Sequence, residues 1–387
     1  MAGVMLSCGE PSGDLYAAEL ARALHVRRPD LDVFGFGGPR SAEAGVRLVG
    51  SYAGLSVTGL TEALRVLPAT FRMLRRLVDA ARTSRPEALV LVDYPDFNFR
   101  LMAAVARLGV PIVYYVTPQV WAWRPARMKT LQKHVRLALP IFPFEEPLYR
   151  TAGIEARFLG HPLVDAVPAP PADRAAAVAL QADRRRDLGL DPARPTVALL
   201  PGSRHNEIAR LVPVMAEALP RIAAHVTGLQ AVVACAPGHD DAEFAPLAAA
   251  TPAAHLVRGR VADVLSAADV VVTASGTATV ETALHERPMV VLYKLSPMTY
   301  RLGKPLVTID TYAMANLVAG DRIVPELIQD ACTPEAVAAA ATAFFLDRDL
   351  WERTRARLAE TRAKLGPPGS TARVADAVLE LIDARRG

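Results

Sequence analysis

The stretch that decides the fold is Val4-Met5-Leu6-Ser7-Cys8-Gly9-Glu10-Pro11-Ser12-Gly13-Asp14, in which an apolar strand breaks into a Gly/Ser turn. An alanine-rich helical segment follows this turn directly. Small residues let backbone N–H groups approach a ligand, and the N-terminus of a helix favours negative charge. The pattern therefore predicts a strand–turn–helix unit whose turn, with Gly9, Glu10, Ser12 and Gly13, lies at a binding site.

A second copy of this pattern stands in the other half of the chain. The strand Val197-Ala198-Leu199-Leu200 leads into Pro201-Gly202-Ser203-Arg204 and then into a helical segment. Two such turns predict two similar α/β domains that face each other across a cleft. The alternation of strands with helices predicts parallel, doubly wound sheets. Further strands are predicted at residues 33–38, 88–93, 111–116, 138–142, 156–160, 231–234, 255–257, 270–273 and 289–293.

Length and composition support two globular domains. The chain has 387 residues, of which 51% are hydrophobic and 22% are charged, so it is too long for one ordinary core and too apolar for disorder. A Pro/Ala-rich segment at residues 167–172 predicts the linker. We therefore expect a first domain at residues 1–166 and a second domain at residues 167–349.

Cysteine usage and charge restrict the compartment and the partners. Cys8, Cys235 and Cys332 form neither a disulfide framework nor a metal-binding spacing, which predicts a reducing, cytoplasmic setting. We expect no signal peptide and no membrane-spanning segment. The net charge of +4 is weak evidence for nucleic acid but is compatible with an anionic membrane surface. Asp30-Leu31-Asp32 precedes a strand and is interpreted as a solvated turn, so we expect no metal and no cofactor.

Polar residues that follow strands in the second half predict a nucleotide diphosphate site, because ligands bind at the carboxyl ends of parallel strands. Ser275-Gly276-Thr277 follows the strand at residues 270–273 and supplies N–H groups and hydroxyls at a helix start. Glu281 lies one helical turn further on, where it can accept hydrogen bonds from a diol such as a ribose. Arg204 can stabilise the diphosphate charge. The alternative is a pair of tight turns with serine N-caps.

Two motifs that bind other nucleotides are missing from the sequence. No Gly-x-x-x-x-Gly-Lys-Ser/Thr segment occurs, and neither half opens with Gly-x-Gly-x-x-Gly. The sequence therefore disfavours ATPases and dehydrogenases.

A carboxylate in the first half is the candidate general base. The strand at residues 88–92 ends in Asp93-Tyr94-Pro95-Asp96-Phe97-Asn98, and Asp96 is the residue that we expect to deprotonate an attacking hydroxyl. The alternative makes Asp93 or Asp96 the N-cap of the next helix. Glu10 and Ser12 are candidate acceptor ligands, although Glu10 can instead be a first-turn helix acid.

Two other features allow two interpretations each. The loop with Trp121, Trp123 and Arg124 either contacts a ligand or forms an aromatic plug under the interdomain hinge. His161 is interpreted as a domain-junction residue rather than as a base. An apolar stripe recurs at helical spacing in residues 57–77, with arginines among its members. It faces the core or lies on a membrane surface. The members of the stripe are Leu60, Leu64, Leu67, Phe71 and Leu74.

Taken together, these segments resemble one family, the lipid-A-disaccharide synthases. The matching motifs occur in family order and cover most of the chain, which makes the set specific although single motifs such as Ser-Gly-Thr are weak. They are Gly9–Asp14, Gly37-Gly38-Pro39, Pro95–Asn98, Val120-Trp121-Ala122-Trp123-Arg124, Gly160-His161-Pro162, Leu200–Arg204, Ser275–Thr277 with Glu281, and Asn316-Leu317-Val318-Ala319-Gly320.

The resemblance implies a GT-B fold, in which the helices of residues 350–387 return to the first domain at residues 1–166. It also implies an inverting, metal-independent glycosyltransferase. The implied donor is UDP-2,3-diacylglucosamine, and the implied acceptor is 2,3-diacylglucosamine 1-phosphate. It also implies Asp96 as a catalytic residue, Arg204 as essential and UDP on the second domain. Because they lie in matching motifs, Asn316 is expected in the donor site and Asn98 is expected in the acceptor site. Because both substrates carry fatty chains, the resemblance shifts the apolar stripe towards membrane or acyl contact.

The expected partners are these two substrates, the inner-membrane surface and, as a candidate assembly, a second copy of the chain. The alternatives are another UDP-sugar enzyme of this fold, either the peptidoglycan-precursor N-acetylglucosaminyltransferase or a UDP-sugar 2-epimerase, and a non-enzymatic lipid-binding scaffold.

Overall fold

The chain forms two compact units in the computed structural model. The model describes residues 3–53, 60–122, 124–296, 300–301 and 310–385, with the backbone alone for residues 60–66. One unit comprises Met1–Asp165 and Leu365–Gly387, and the other comprises Ala166–Lys364.

The first unit contains a six-stranded parallel sheet with helices between its strands. The strand order is β3-β2-β1-β4-β5-β6, which reverses direction between β1 and β4. The elements in chain order are β1 (Gly3–Ser7), α1 (Pro11–Arg27), β2 (Asp32–Gly37), α2 (Pro39–Glu43), β3 (Arg47–Ser51), α3 (Leu60–Ser84), β4 (Ala88–Val92), α4 (Pro95–Ala106), β5 (Ile112–Tyr115), α5 (Met128–His134), β6 (Val135–Leu139), α6 (Glu145–Thr151) and α7 (Leu163–Ala166).

The second unit repeats this topology. Its parallel sheet has the order β12-β11-β10-β7-β8-β9, so the reversal lies between β7 and β10. The elements are α8 (Arg174–Asp187), β7 (Thr196–Leu200), α9 (His205–Ala223), β8 (Gln230–Cys235), α10 (Ala245–Ala248), β9 (Ala254–Arg258), α11 (Val261–Ala267), β10 (Val270–Ala274), α12 (Thr277–Leu284), β11 (Met289–Tyr293), α13 (Met314–Ala319), β12 (Glu326–Ile328), α14 (Pro334–Leu346) and α15 (Arg348–Lys364), after which α16 (Ser370–Asp383) belongs to the first unit.

Both faces of the second sheet are buried. Val197 and Leu199 of β7 pack into one hydrophobic cluster, whereas Ala198 and Leu200 pack into another. Successive side chains of a strand point to opposite faces, so helices must cover both sides of this sheet. The prediction of doubly wound α/β sheets is confirmed.

Three details of the strand prediction are wrong. β3 and β12 were not predicted, because they are short edge strands whose residues are mostly only half-buried. The predicted strand at residues 156–160 is a single bridge between Ala138 and Ala156. Its pairing stops because the backbone N–H of Phe158 donates to Glu146 Oε2 instead of to a neighbouring strand.

The C-terminal helices divide between the units. Leu358 of α15 is buried in a core cluster of the second unit, so residues 350–364 lie there and not in the first unit as the sequence suggested. α16 packs along α1, where Arg27 pairs with Asp376 and Arg28 donates to Asp383 at 2.9 Å. The return of the chain to the first unit therefore begins at Leu365.

Candidate active site

The candidate residues of the first unit lie where the strand order of its sheet reverses. β1 and β4 are neighbours, with Ser7 opposite Leu91, so the turn after β1 and the loop after β4 emerge side by side. Such a switch point is where open α/β sheets bind ligands. The fold thus brings the turn at Gly9 and Glu10 beside the loop that leads into α4, whose first turn contains Asp96.

The loop after β4 has an unusual backbone. Asp93 and Tyr94 both have φ near +49°, in the left-handed region, and Pro95 begins α4 directly after them. The ring of Tyr94 lies against Gly9, where an added Cβ would clash with the ring. Burial raises the pKa of Tyr94, and the charges of Glu10 and Asp96 raise it further. Backbone strain of this kind persists where the surrounding structure holds it, often at functional sites.

Asp96 lies in the first turn of α4, and its side chain is 78% exposed. Its Oδ1 accepts hydrogen bonds from Arg127 at 2.6 Å and from Arg124 at 3.4 Å. The N-cap residue of α4 is Tyr94, so neither Asp93 nor Asp96 occupies the N-cap position. Asp96 is therefore an accessible carboxylate beside two arginines.

Asn98 is buried and satisfied within the chain. Its amide donates to the carbonyl oxygens of Ser7 and Asp93, and its oxygen accepts from the hydroxyl of Ser7 at 2.7 Å. These contacts tie the end of β1 to the end of β4. They support a positioning role for Asn98 beneath the expected acceptor site.

Asp14 is a buried residue whose role the sequence did not reveal. Its Oδ1 accepts from the backbone N–H groups of Gly38 and Ser41, and its Oδ2 accepts from that of Arg40. These groups lie at the N-terminus of α2, whose N-cap residue Gly38 has no side chain to cap it. Asp14 therefore caps α2 from a distance and ties the segment Gly9–Asp14 to Gly37-Gly38-Pro39.

We expect Asp14→Ala to lower the free energy of unfolding by about 3 kcal/mol or more, because several donors at the start of α2 would lose their acceptor. Urea denaturation followed by circular dichroism measures this change. The control is Asp30→Ala, an exposed aspartate of the same unit, which should change stability by less than about 0.5 kcal/mol. Equal stabilities of the two variants would contradict the capping role.

The aromatic loop after β5 packs inside the first unit. Trp121 donates to Glu145 Oε1 at 3.0 Å and lies edge-on to Phe144. Burial raises the pKa of Glu145 to about 7. His161 is buried beside Phe142, and burial lowers its pKa to about 3, consistent with its Nδ1 accepting from the N–H of Leu163. These contacts favour the packing interpretation for Trp121, while Trp123 lies outside the described residues.

In the second unit, the candidate turn lies at the corresponding switch point. Leu200 of β7 pairs with Thr273 of β10, so Gly202–Arg204 and Ser275–Thr277 emerge beside each other. Gly202 has φ +109°, and an added Cβ would come within 2.5 Å of Glu207 Oε2. The N–H of Ser203 donates to that oxygen at 3.3 Å. The turn thus already binds one carboxylate oxygen, which is the behaviour expected of an anion-binding turn.

Arg204 is the N-cap residue of α9, and its side chain is 62% exposed. It lies 3.8 Å from Glu207 Oε1, a loose ion pair on the solvent side of the turn. Burial raises the pKa of Tyr293, whereas the positive charge of Arg204 lowers it. The two side chains therefore lie in the same region. The guanidinium is accessible to a ligand at the switch point.

The second loop of this site begins α12. Gly276 has φ +131° and precedes Thr277, the first residue of α12, while the hydroxyl of Ser275 donates to the carbonyl oxygen of Tyr312 at 2.8 Å. Burial raises the pKa of Glu281. A carboxyl group in such a position forms strong hydrogen bonds with a ligand hydroxyl, because little water competes for it.

Asn316 is also engaged within the chain. Its amide donates to Val324 O and Glu326 Oε1 and accepts from the backbone N–H groups of Ile323 and Val324. Glu326 in turn accepts from the N–H of Tyr312. Through these contacts Asn316 positions the loop whose carbonyl holds Ser275.

The apolar stripe on α3 divides between core and surface. Leu74 packs against the core, whereas Leu67 and Phe71 are exposed, with 37% and 49% of their surface accessible. Arg100 lies over the ring of Phe71. The side chains of Leu60 and Leu64 lie outside the described residues. Among the described helices, none combines the length and the apolar character needed to cross a bilayer.

Comparisons with known proteins identify a family. The family model described as lipid-A-disaccharide synthetase matches residues 4–378. The lipid-A-disaccharide synthase of Myxococcus xanthus is 44% identical over 386 residues, covering 99% of this chain and 98% of that protein. That of Geobacter metallireducens is 42% identical over 387 residues, with the same coverage.

Solved structures with the same fold are more distant in sequence. A UDP-GlcNAc 2-epimerase from Neisseria meningitidis bound to UDP-GlcNAc has a TM-score of 0.67 at 11% identity, covering 98% of this chain and 100% of that chain. MurG from Acinetobacter baumannii has a TM-score of 0.60 at 16% identity, with the same coverage. At such identities the likeness shows the fold alone, so these structures do not favour the alternative functions.

Proposed function

Because the chain belongs to the lipid-A-disaccharide synthase family, we propose that it transfers the sugar of UDP-2,3-diacylglucosamine to 2,3-diacylglucosamine 1-phosphate. The products are the β-1,6-linked disaccharide 1-phosphate and UDP. The observation that carries the proposal is the match to this family over nearly the whole chain. The location of candidate residues at the switch point of each sheet supports it.

On the donor side, the second unit binds UDP. The backbone of Gly202–Arg204 and the start of α12 at Ser275–Thr277 bind the diphosphate, and Glu281 binds the ribose. The exposed Arg204 and the carboxylate already bound by the Ser203 N–H support this assignment. When the diphosphate binds, its oxygens replace those of Glu207 at the turn.

On the acceptor side, the first unit binds the sugar phosphate near Gly9, Glu10, Ser12 and Gly13. Asp96 takes the proton of the 6-hydroxyl as this oxygen attacks the anomeric carbon from the face opposite UDP. The bond from that carbon to the diphosphate breaks, and UDP leaves. Because both arginines bind Oδ1 of Asp96, Oδ2 is the oxygen assigned to the proton.

The leaving diphosphate gains charge as its bond to the sugar breaks. Arg204 and the N–H groups at the start of α12 neutralise this charge, which stabilises the transition state without a metal-dependent step. The strained loop at Asp93 and Tyr94 supports the reactive carboxylate by holding the start of α4 against Gly9.

The same proposal locates the protein in the cytoplasm, peripherally on the inner membrane, with a homodimer as its candidate assembly. Leu67 and Phe71 are exposed on α3, and exposed arginines accompany them. Apolar side chains beside cations suit the boundary between acyl chains and anionic headgroups. The arginines are Arg72, Arg75 and Arg76.

The decisive experiment mixes the purified chain with the two acylated substrates and measures UDP and the disaccharide 1-phosphate by mass spectrometry. We expect stoichiometric UDP and disaccharide. Unacylated UDP-N-acetylglucosamine, with and without a lipid-linked peptidoglycan precursor, serves as the comparison. Activity with the unacylated UDP-sugar but not with the acylated donor, either transfer or epimerisation, would support another UDP-sugar enzyme. Absence of UDP release from every donor would support a non-enzymatic scaffold.

A further inference from the structure

Three potential metal ligands converge beside the Gly202–Arg204 turn. Nδ1 of His205 lies 2.8 Å from Glu243 Oε2, and Nδ1 of His239 lies 3.0 Å from Glu243 Oε1. The ligand atoms of these three residues all lie within 4.8 Å of one another. His205 begins α9, His239 follows β8, and Glu243 lies in a 3₁₀ turn at Asp241–Phe244, so three separate segments meet here.

The contacts of His239 determine which ring nitrogen faces the cluster. Its side chain is only 5% exposed, and its Nε2 lies 3.1 Å from the carbonyl oxygen of Ser203. A carbonyl accepts but does not donate, so Nε2 carries the hydrogen. The carbonyl oxygen of His239 accepts from Arg258 at 2.7 Å, which holds the backbone of this loop. Histidines that bind metals are typically oriented by such a hydrogen bond from the second ring nitrogen to a carbonyl.

Nδ1 of His239 and the carboxylate of Glu243 require a positive charge between them. With its hydrogen on Nε2, a neutral His239 presents the lone pair of Nδ1 to a carboxylate oxygen at 3.0 Å. Two acceptors at this distance repel each other unless a proton or a metal ion lies between them.

We propose that Nδ1 of His205, Nδ1 of His239 and the carboxylate of Glu243 bind one divalent cation of the zinc class. Two imidazoles and one carboxylate form a known zinc ligand set, which leaves a fourth position for water. Zinc–ligand bonds of about 2.0–2.2 Å place tetrahedral ligand atoms about 3.3 Å apart, close to the 2.8 Å and 3.0 Å that separate the two histidine Nδ1 atoms from Glu243.

None of the three ligand residues takes part in the proposed reaction. A bound cation is therefore expected to affect the stability of the protein. A bound cation would link the start of α9, the loop after β8 and the 3₁₀ turn, and His239 would transmit this constraint to Ser203. A ligand that binds only the folded chain stabilises it. We therefore expect Zn²⁺ to raise the melting temperature of the protein.

The test titrates Zn²⁺ into the full chain, without a histidine tag, by isothermal titration calorimetry, and repeats the titration with Co²⁺ by visible absorption. We expect one cation per chain, a tetrahedral Co²⁺ spectrum and release of protons, which titrations in buffers of different ionisation enthalpy reveal. His205→Ala and Glu243→Gln should each weaken binding by at least about tenfold, the loss that even an outer-shell substitution can cause.

The matched control is His225→Ala, which removes an exposed histidine of the same unit outside the cluster and should bind Zn²⁺ like the wild type. His205 is 60% exposed, so its alanine variant should fold and keep the metal-free melting temperature. Absence of Zn²⁺ binding by the wild type would mean that protons alone occupy the cluster. Unchanged affinity in both ligand variants would also overturn the proposal.

Discussion

Asp96→Asn is expected to lower kcat by about 100- to 10,000-fold, because the amide cannot take the proton of the attacking hydroxyl. The amide oxygen can still accept hydrogen bonds from Arg127 and Arg124, so the local structure should persist. UDP affinity, which the proposal assigns to the second unit, should stay near the wild-type value. Steady-state kinetics with both acylated substrates, together with calorimetric UDP binding, measure the two effects separately.

The control for this prediction is Asp30→Asn, which alters an exposed aspartate away from the switch point of the same unit. It should retain wild-type kinetics. If Asp96→Asn raised KM for the acceptor while kcat stayed unchanged, Asp96 would bind the acceptor and not act as a base. Wild-type turnover of Asp96→Asn would exclude both roles.

Arg204→Ala is expected to reduce turnover by about 100- to 1,000-fold and to weaken UDP binding. The reason is that the guanidinium neutralises charge on the diphosphate, in the bound donor and more strongly as the bond to the sugar breaks. Arg204→Lys should recover part of the affinity, since it keeps the charge but loses the planar, two-pronged donor geometry. UDP calorimetry and initial rates measure these differences.

The matched control is Arg186→Ala on α8. The side chain of Arg186 is 59% exposed, against 62% for Arg204, and it pairs with Asp183 on the surface of the same unit. Its removal should affect neither UDP affinity nor rate. An Arg204→Ala variant with wild-type UDP affinity would remove Arg204 from the diphosphate site.

The site residues are predicted from their position directly after a strand. Polar residues that directly follow buried parallel strands mark the ligand edge of a sheet. This rule predicts Asp96, Arg204 and Ser275 as site residues. The structure adds that each of these loops lies where its strand order reverses. That order depends on which strands pair, and pairing between distant segments leaves no local pattern in the sequence.

Polar residues that lie in the same motifs differ in burial: some are buried and hydrogen-bonded, and others are exposed. Asn98 hydrogen-bonds to Ser7, 91 positions away, and Asp14 to Gly38, 24 positions away, so both are buried supports. Asp96 and Arg204 remain mostly exposed. The convergence of His205, His239 and Glu243 had no signal in the sequence, because their spacing matches no motif that spans all three residues.

The alternation of apolar strands and helices was enough to determine two doubly wound α/β units, since a strand buried on both faces must be apolar along its whole length. Strand-to-helix turns rich in glycine were enough to predict which turns lie at the switch points of the two sheets. Only the tertiary structure decided which polar side chains are hydrogen-bonded inside the protein and which remain exposed. The physical reason is that a buried polar group must find its hydrogen-bond partners, and here those partners come from distant parts of the chain.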